Sequence, residues 1–293
     1  MAVWGIKACF GAHPYTLALA AFLWPVTGML GITAGAHRLW AHRSYKASLP
    51  LRVLLMLANC MANQGPIWHW VRDHRLHHRR GVEDSVADPH NASRGFWFSH
   101  IGWLLVQKHP AVIEEGRKIN IKDVLDDPVV KFQTKTFPFS PLLLCFALPA
   151  YLATLWGDSW LNGLLIAGFL RYCFVLHCTW CVNSVAHIWG YRTYDEEARP
   201  ADNLFVSVLA VGEGAHSYHH AYPSSYTASE FGFPRDYNPT KVFIDAMAAL
   251  GLAYDRKKPS KIRYSAERIA ERRRRQEAMR LNEAAANALI DDE

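Results

Sequence analysis

The sequence predicts an all-α membrane bundle that carries a polar helical cap on one side of the bilayer. Hydrophobic residues make up 51% of the 293 positions and charged residues 20%, and the two kinds occupy separate stretches. Three apolar stretches have the length of a membrane span, and the chain holds 15 histidines, many of them in closely spaced pairs and triples. Together these features predict about three transmembrane helices with a histidine-rich site at one end of the bundle.

The predicted spans are residues 15–36, 138–156 and 160–182. Each has roughly the 20 residues that a helix needs to cross about 30 Å of hydrocarbon. The second and third spans are separated by three residues only, so they are expected to form a hairpin. The third span contains Arg171 and His177, and ionisable residues inside a membrane usually face the protein interior. This span is therefore expected to line a site.

A fourth apolar stretch, residues 49–67, also has the length of a span. If it crossed the bilayer, His37 and His42 before it would lie on the opposite face from His74, His77 and His78 after it. The two groups could then not share a site. We therefore expect this stretch to lie as a helix in or near the membrane interface.

Basic residues are concentrated between residues 38 and 135 and in the tail, which predicts that these regions are cytosolic. The net charge of +6 does not indicate nucleic acid, because the basic residues flank apolar stretches and suit an anionic lipid surface. Residues 1–264 are expected to form one membrane-embedded domain, with a cap from 38–137 and 183–264. Residues 265–293 are expected to form a charged helical or disordered tail.

The histidines fall into four motifs. His37 and His42 are spaced H-x4-H, Asn183 precedes His187 as N-x3-H, and the spacing H-x2-H-H occurs twice, at His74, His77 and His78 and at His216, His219 and His220. On a helix, positions i, i+3 and i+4 share one face, so each triple presents its imidazoles together. Imidazole binds iron, zinc and copper, and nine histidines exceed what one metal coordinates. One such triple occurs by chance, but four motifs beside predicted spans indicate a two-metal site.

The strings GAHRLWAHRSYKA, DHRLHH, ADPHNASRGFWFSHIGWLL, TWCVNSVAHIWG and GEGAHSYHH resemble the animal-type stearoyl-CoA (acyl-CoA Δ9) desaturase family, over about residues 31–255. The resemblance implies a bundle of transmembrane helices under a cytosolic helical cap in the endoplasmic reticulum membrane. It also implies two Fe2+ ions and a reaction that introduces a cis double bond into C16 or C18 acyl-CoA. The oxidant is O2, and the electrons come from a separate cytochrome b5 and its reductase.

The resemblance further implies which residues hold each iron. One iron takes His37, His42, His74, His78 and His219. The other takes His77, His187, His216 and His220, with Asn183 reaching it through water. Carboxylates are expected to orient these imidazoles, and the candidates are Asp73, Asp88 and Glu213.

The same resemblance assigns the substrate contacts. A bend in an apolar tunnel is expected near Gln64, Trp70, Thr179 and Trp180, and the acyl-CoA head group is expected at Arg72, Asp73 and Lys108. Ala21, Trp24, Pro25 and Gly28 on the first span are candidates for the closed end of the tunnel, and Trp24 would shorten the tunnel if it points inward.

Three departures from the family pattern affect these assignments. Gln64-Gly65-Pro66 stands where Gln-Asn is usual, Gln107-Lys108 stands where Arg-Lys is usual, and two residues are inserted between His78 and Asp88. An acyl-lipid substrate therefore remains open.

The N-terminal region also differs from the family. Only 36 residues precede His37, which leaves room for one span where the family has two. About three transmembrane helices are thus expected here, against four in the family, and the N-terminus is expected to be lumenal. Either the chain is naturally short at this end or the reading frame is incomplete.

Three other functions fit parts of the pattern. A membrane di-iron hydroxylase would use the same histidine motifs, which do not separate oxygen insertion from desaturation. A membrane protein that binds a metal structurally or transports it would also need histidines. An inactive desaturase-like scaffold is a further alternative, although all nine histidines and Asn183 are present.

Overall fold

The computed structural model describes residues 1–195, 197–232 and 235–264, together with positions 270 and 274. The predicted tail of residues 265–293 therefore lies almost wholly outside the described residues.

The described chain is built almost entirely of helices, which confirms the predicted all-α class. The helices are α1 (Ala2–Ala8), α2 (Pro14–Ala41), α3 (Leu49–Ala62), α4 (Ile67–His77), α5 (Pro110–Arg117), α6 (Lys122–Asp126), α7 (Pro128–Thr136), α8 (Phe139–Thr154), α9 (Trp160–Ile188), α10 (Leu204–Leu209), α11 (His216–Ala221) and α12 (Pro239–Ala249). Single helical turns occur at Ala92–Arg94, Phe98–Gly102 and Trp103–Leu105. One short antiparallel pair joins β1 (Lys46–Ala47) to β2 (Ala253–Tyr254).

Among the described residues, two helices are long and apolar enough to cross a membrane. They are α2, with 28 residues and a mean hydropathy of 1.7, and α9, with 29 residues and a mean hydropathy of 1.6. Helices α7 and α8 pass the same test as a pair, although the chain bends by 77° between them. About three spans were predicted, and the structure has that number if the bent pair is counted as one span. Helices α2 and α9 continue beyond the predicted ends up to the histidine motifs.

Helix α3 forms most of the fourth apolar stretch, residues 49–67. Its 14 residues measure about 21 Å, which is too short to cross the hydrocarbon layer. One face of α3 packs tightly on α2. A Cβ atom added at Gly31 would lie 2.5 Å from the Ala58 carbonyl oxygen, so this contact requires glycine. The opposite face exposes apolar side chains such as Leu49 and Leu54, which agrees with a position at the interface.

Arg171 faces the protein interior, as predicted. Its buried guanidinium donates to the carbonyl oxygens of Met61 and Cys145, and its Nε donates to that of Ala167. The charge is therefore surrounded by backbone dipoles, and the hydrogen bonds to Met61 and Cys145 tie α9 to α3 and α8.

His177 on α9 and His100, which belong to none of the four histidine motifs, pair with each other. His177 Nδ1 lies 2.9 Å from His100 Nε2, and His100 Nδ1 lies 2.9 Å from the Ser184 hydroxyl. All six cysteines are free thiols, including Cys178 and Cys181, which have C-x2-C spacing on α9.

The hydrophobic core of the cap lies beneath the histidine motifs. Its buried side chains come from the end of α2, from α3, α4 and α7, and from α12, and include Trp40, Leu55, Ile67, Val130 and Ile244. Because these helices share one core, the ends of α2 and α4 are held side by side, which positions the histidines at their C-terminal ends.

Candidate metal centre

Four segments deliver the histidines to one place. His37 lies in the last turn of α2 and His42 just after it, while α4 and its C-cap supply His74, His77 and His78. The end of α9 supplies His187, and α11 supplies His216, His219 and His220. Segments that are more than 170 residues apart in the sequence therefore meet in one buried site.

The histidines that the resemblance assigns to the first iron form one group, called here the first cluster, which consists of His37, His42, His74, His78 and His219. Four of them, all except His78, offer nitrogen atoms that lie within 4.8 Å of one another. The Nε2 atom of His219 lies 3.0 Å from the Nε2 atoms of both His37 and His78. The Nε2 atoms of His42 and His74 are 2.7 Å apart.

The remaining four histidines form the second cluster, which consists of His77, His187, His216 and His220, again with ligand atoms within 4.8 Å of one another. His216 Nε2 lies 3.0 Å from His187 Nε2 and 3.1 Å from His220 Nε2. The rings of His78 and His220 stack at 4.2 Å and connect the two clusters. Asn183 lines the cavities beside His74 and His216.

Most of the clustered imidazoles are held in the neutral form. Burial, reinforced by the neighbouring histidines, holds the pKa of six of them well below the usual range, since a charged ring would be desolvated. The six are His42, His74, His78, His216, His219 and His220. Neutral imidazole is the form that binds metals.

The arrangement of the nitrogen atoms fits a bound cation. A neutral imidazole has one N–H and one lone pair. Where a carboxylate accepts a hydrogen bond from Nδ1, the Nε2 lone pair points into the cluster, as at His187 with Asp84 and at His220 with Glu83. Both Nε2 atoms face that of His216 at about 3 Å. One N–H on His216 cannot satisfy both of these lone pairs, whereas a cation between the three nitrogen atoms would. In the first cluster, His37 has Glu213 at Nδ1 and turns its Nε2 towards His219 at 3.0 Å in the same way. Both clusters are therefore arranged to bind a metal ion.

Carboxylates surround the clusters on their outer side. Glu213 lies 3.1 Å from His37 Nδ1, and Asp88 lies 2.8 Å from His77 Nδ1. The third candidate, Asp73, was expected to orient a clustered imidazole. That expectation was wrong, because Asp73 pairs with Arg72 and Lys108 instead.

Sequence reasoning missed two further carboxylates. Glu83 lies 2.9 Å from His220 Nδ1 and Asp84 lies 3.3 Å from His187 Nδ1. Both lie in the segment with the two-residue insertion between His78 and Asp88. This departure from the family pattern was the feature of the sequence that could have drawn attention to them. Burial raises the pKa of Glu83 to about 7. A cation on the far side of His220 would favour the ionised form of Glu83.

Arg38 stabilises the surroundings of the first cluster through buried hydrogen bonds. Its buried guanidinium donates to Glu213 at 2.7 Å, to the carbonyl oxygens of Gly212, Tyr226 and Thr227, and to Asn238. Burial works to raise the pKa of Glu213, but the charge of Arg38 and the hydrogen bonds from Arg38 and His37 outweigh it and hold that pKa below its usual range. Glu213 is therefore an ionised acceptor for His37.

An apolar cavity opens onto the clusters from the membrane side. This inner cavity runs between α2 and α9 and is lined by side chains that include Trp24, Gly28, Val175, Cys178 and Val182, as well as His37, His74 and His216. Trp24 lines it as the sequence suggested, and its indole N–H donates to the Leu209 carbonyl oxygen at 3.3 Å.

A second, outer cavity adjoins the first. The two share the lining residues Trp70, His74, Thr179 and Asn183. At this junction the Gln64 amide donates to the Thr179 hydroxyl at 2.8 Å and accepts from the Trp70 indole at 3.2 Å. Three of the residues predicted at the bend thus form one hydrogen-bonded chain, and the fourth, Trp180, lines the outer cavity.

The predicted head-group residues lie at the outer cavity. Asp73 and Lys108 line it and form an ion pair with each other. Arg72 is not among its lining side chains in the described part of the chain. It reaches this region through its 2.9 Å contact with Asp73.

Comparison with known proteins identifies the family. The family model for fatty acid desaturases matches residues 13–229. Stearoyl-CoA desaturase 5 of Bos taurus is 52% identical over 261 residues, which cover 89% of this chain and 76% of the relative. Stearoyl-CoA desaturase of Homo sapiens is 51% identical over 89% of this chain and 71% of the relative, and that of Sus scrofa is 52% identical over the same shares. With the histidine clusters and membrane helices described above, these matches establish that the chain belongs to the fatty acid desaturase family.

Proposed function

We propose that this chain is an acyl-CoA desaturase that introduces a cis double bond, at the Δ9 position, into saturated C16 and C18 acyl-CoA. The observation that carries the proposal is the pair of histidine clusters at the end of an apolar cavity, in a chain about half identical to mammalian stearoyl-CoA desaturases. In this reaction O2 accepts four electrons, two from the substrate and two from an external donor, and yields two molecules of water.

The metals are proposed to be two Fe2+ ions, one in each cluster. When bound, iron supplies the oxygen activation that removal of hydrogen from an unactivated methylene requires. The protein would hold each ion through neutral imidazoles, orient those imidazoles through the outer carboxylates, and keep bulk water away from the apolar cavity.

The hydrogen-bonded chain of Trp70, Gln64 and Thr179 is proposed to bend the acyl chain. The three side chains hydrogen-bond to one another, so together they form a rigid edge between the inner and outer cavities. An acyl tail in the inner cavity would pass beside His37 and His74, while the head group would stay near Asp73 and Lys108. This placement would hold the same two carbons beside the clusters in every turnover.

The electron donor is proposed to be a separate cytochrome b5 with its reductase. The net charge of +6 supports attraction of an acidic partner, since electrostatic complementarity raises association rates. We further propose that residues 1–264 act as one domain in the endoplasmic reticulum membrane with the clusters facing the cytosol, because the basic residues concentrate on that side of the predicted spans.

Product analysis tests this function. Expression in a desaturase-deficient yeast is expected to restore growth without added unsaturated fatty acids and to produce C16:1 and C18:1 acids with the double bond at Δ9. Hydroxylated acids without alkenes would reject desaturation in favour of oxygen insertion. Unsaturation confined to lipid-linked acyl chains, with none formed from acyl-CoA in membranes, would reject the acyl-CoA substrate.

Chain length is expected to depend on Trp24. This residue lines the inner cavity about 20 Å along α2 from His37, where a saturated tail would end. Trp24→Ala is expected to lengthen the cavity and raise the C18-to-C16 product ratio about tenfold. The two additional methylenes of a C18 tail would then be buried, which contributes about 1.6 kcal/mol. The measurement is a product profile with 14-, 16- and 18-carbon substrates. Phe22→Ala, on the exposed side of the same helix, is the control. An unchanged profile for Trp24→Ala would disprove this role.

A further inference from the structure

The two histidine clusters differ in the charge that surrounds them. In the second cluster, three of the four histidines each face a different carboxylate with Nδ1. The three pairs are His77 with Asp88 at 2.8 Å, His187 with Asp84 at 3.3 Å and His220 with Glu83 at 2.9 Å. Within the part of the chain that the structure describes, the ion-pair partners of these carboxylates are histidines alone.

The first cluster has a different environment. Its carboxylate contact is that of Glu213 with His37, and the charge of Glu213 is balanced by the buried guanidinium of Arg38 at 2.7 Å. Each cluster also has one buried Nδ1 atom without a hydrogen-bond partner among the described residues, that of His219 in the first cluster and that of His216 in the second. The first cluster therefore carries close to no net negative charge on its outer side, whereas the second carries up to three negative charges.

The three carboxylates of the second cluster come from one short segment, residues 83–88. The segment braces itself, since Asp88 accepts from the Asp84 backbone N–H at 2.7 Å and Asp84 accepts from that of Ala92 at 2.7 Å. Residues 83 and 84 belong to the stretch that is two residues longer than the family pattern. The carboxylates of Asp84 and Asp88 are thus held in place against their imidazoles.

A carboxylate on Nδ1 raises the basicity of the imidazole and fixes its orientation, and loss of such a contact typically lowers metal affinity 10–100-fold. Negative charge at this distance also attracts a divalent cation directly. Both effects act three times at the second cluster. At the first cluster they act once, against an adjacent positive charge.

We propose that this chain binds its two metal ions unequally, with the second cluster holding a divalent cation at least tenfold more tightly, and that Glu83 is a positioning residue for His220 in that cluster. The proposal rests on the two-metal site of the proposed function. It assigns a role to the inserted segment, which no requirement of the acyl cavity explains.

Chelator titration of the full chain in detergent tests this inference. The protein is loaded with Co2+, which has visible absorption bands that report its ligands, and is then exposed to rising concentrations of a chelator. Metal per chain is measured by mass spectrometry. We expect two cobalt ions at the start and release in two steps, with the second step at a tenfold to hundredfold higher free chelator concentration.

Variants identify which cluster releases its metal last. Glu83→Gln keeps the size and one acceptor oxygen but removes the charge, and is expected to move the late step towards the early one by at least tenfold while leaving the early step in place. Glu83→Asp is expected to restore part of the shift. Glu114→Gln, which removes an exposed carboxylate whose ion-pair partner is Lys118, is expected to change neither step.

The outcomes separate this inference from the proposed function. Release of both ions in one step, or a late step that Glu83→Gln does not move in a protein that still elutes as a folded species, overturns the inference and leaves the two-metal site intact. Failure of the wild-type chain to bind two ions overturns both.

Discussion

The His219→Ala variant is expected to lose desaturation by at least about 100-fold. His219 is buried, and its Nε2 atom contacts His37 and His78, so it joins α11 to both α2 and α4. Its removal takes away an imidazole at the centre of the first cluster, and even indirect partners of metal ligands typically contribute 10–100-fold. Fatty-acid profiles of desaturase-deficient yeast that expresses the variant measure the effect.

The matched control for this experiment is another histidine. His109 lies exposed at the start of α5, where its side chain caps the helix by accepting from the Ala111 backbone N–H. His109→Ala is expected to retain desaturation. Metal content separates a local loss from unfolding, since His219→Ala should still hold an ion in the second cluster. Product levels equal to wild type in His219→Ala would contradict the two-metal mechanism.

The Arg38→Met variant is expected to destabilise the cap by about 3–5 kcal/mol, because it leaves the buried carboxylate of Glu213 without its counter-charge. The substitution also removes donors from the carbonyl oxygens of Gly212, Tyr226 and Thr227, which join the loop before α11 to the loop after it. A loss of this size corresponds to a fall in the melting temperature on the order of 10 °C. Thermal unfolding in detergent, followed by size-exclusion chromatography, measures it.

A surface arginine supplies the control. Arg43 pairs with Asp123 at 2.6 Å, but both side chains are largely exposed, and such pairs contribute about 0–1 kcal/mol. Arg43→Met is therefore expected to lower the melting temperature by a few degrees at most. A double variant, Arg38→Met with Glu213→Gln, should recover part of the stability because no buried charge is left unpaired. Equal effects of the two arginine variants would show that Arg38 is not an anchor.

Much of the architecture follows from periodicity in the sequence. The lengths of the apolar stretches predict the helices that cross the membrane, and the observed α2 and α9 agree with them. Histidines at positions i, i+3 and i+4 must share a helix face, as they do on α4 and α11. The interior orientation of Arg171 was also predictable, since a charge facing lipid is too costly.

The partners of individual side chains were not predictable in the same way. Asp73 precedes His74 directly and was expected to orient an imidazole, yet it pairs with Lys108, 35 residues away. Glu83 and Asp84 were not among the predicted carboxylates, and their contacts with His220 and His187 span more than 100 residues. Local spacing carries no information on such contacts.

The physical reason lies in the range of the forces involved. Helix faces and span lengths are set by backbone geometry and by transfer of side chains into lipid, which act over neighbouring residues and can be read along the chain. Hydrogen bonds between a carboxylate and an imidazole act over about 3 Å, so they depend on how the folded helices place distant segments. The histidine motifs could therefore be recognised in the sequence. The unequal charge around the two clusters could not, because it arises from the packing of residues 83–88 against α4, α9 and α11 and from the pairing of Arg38 with Glu213.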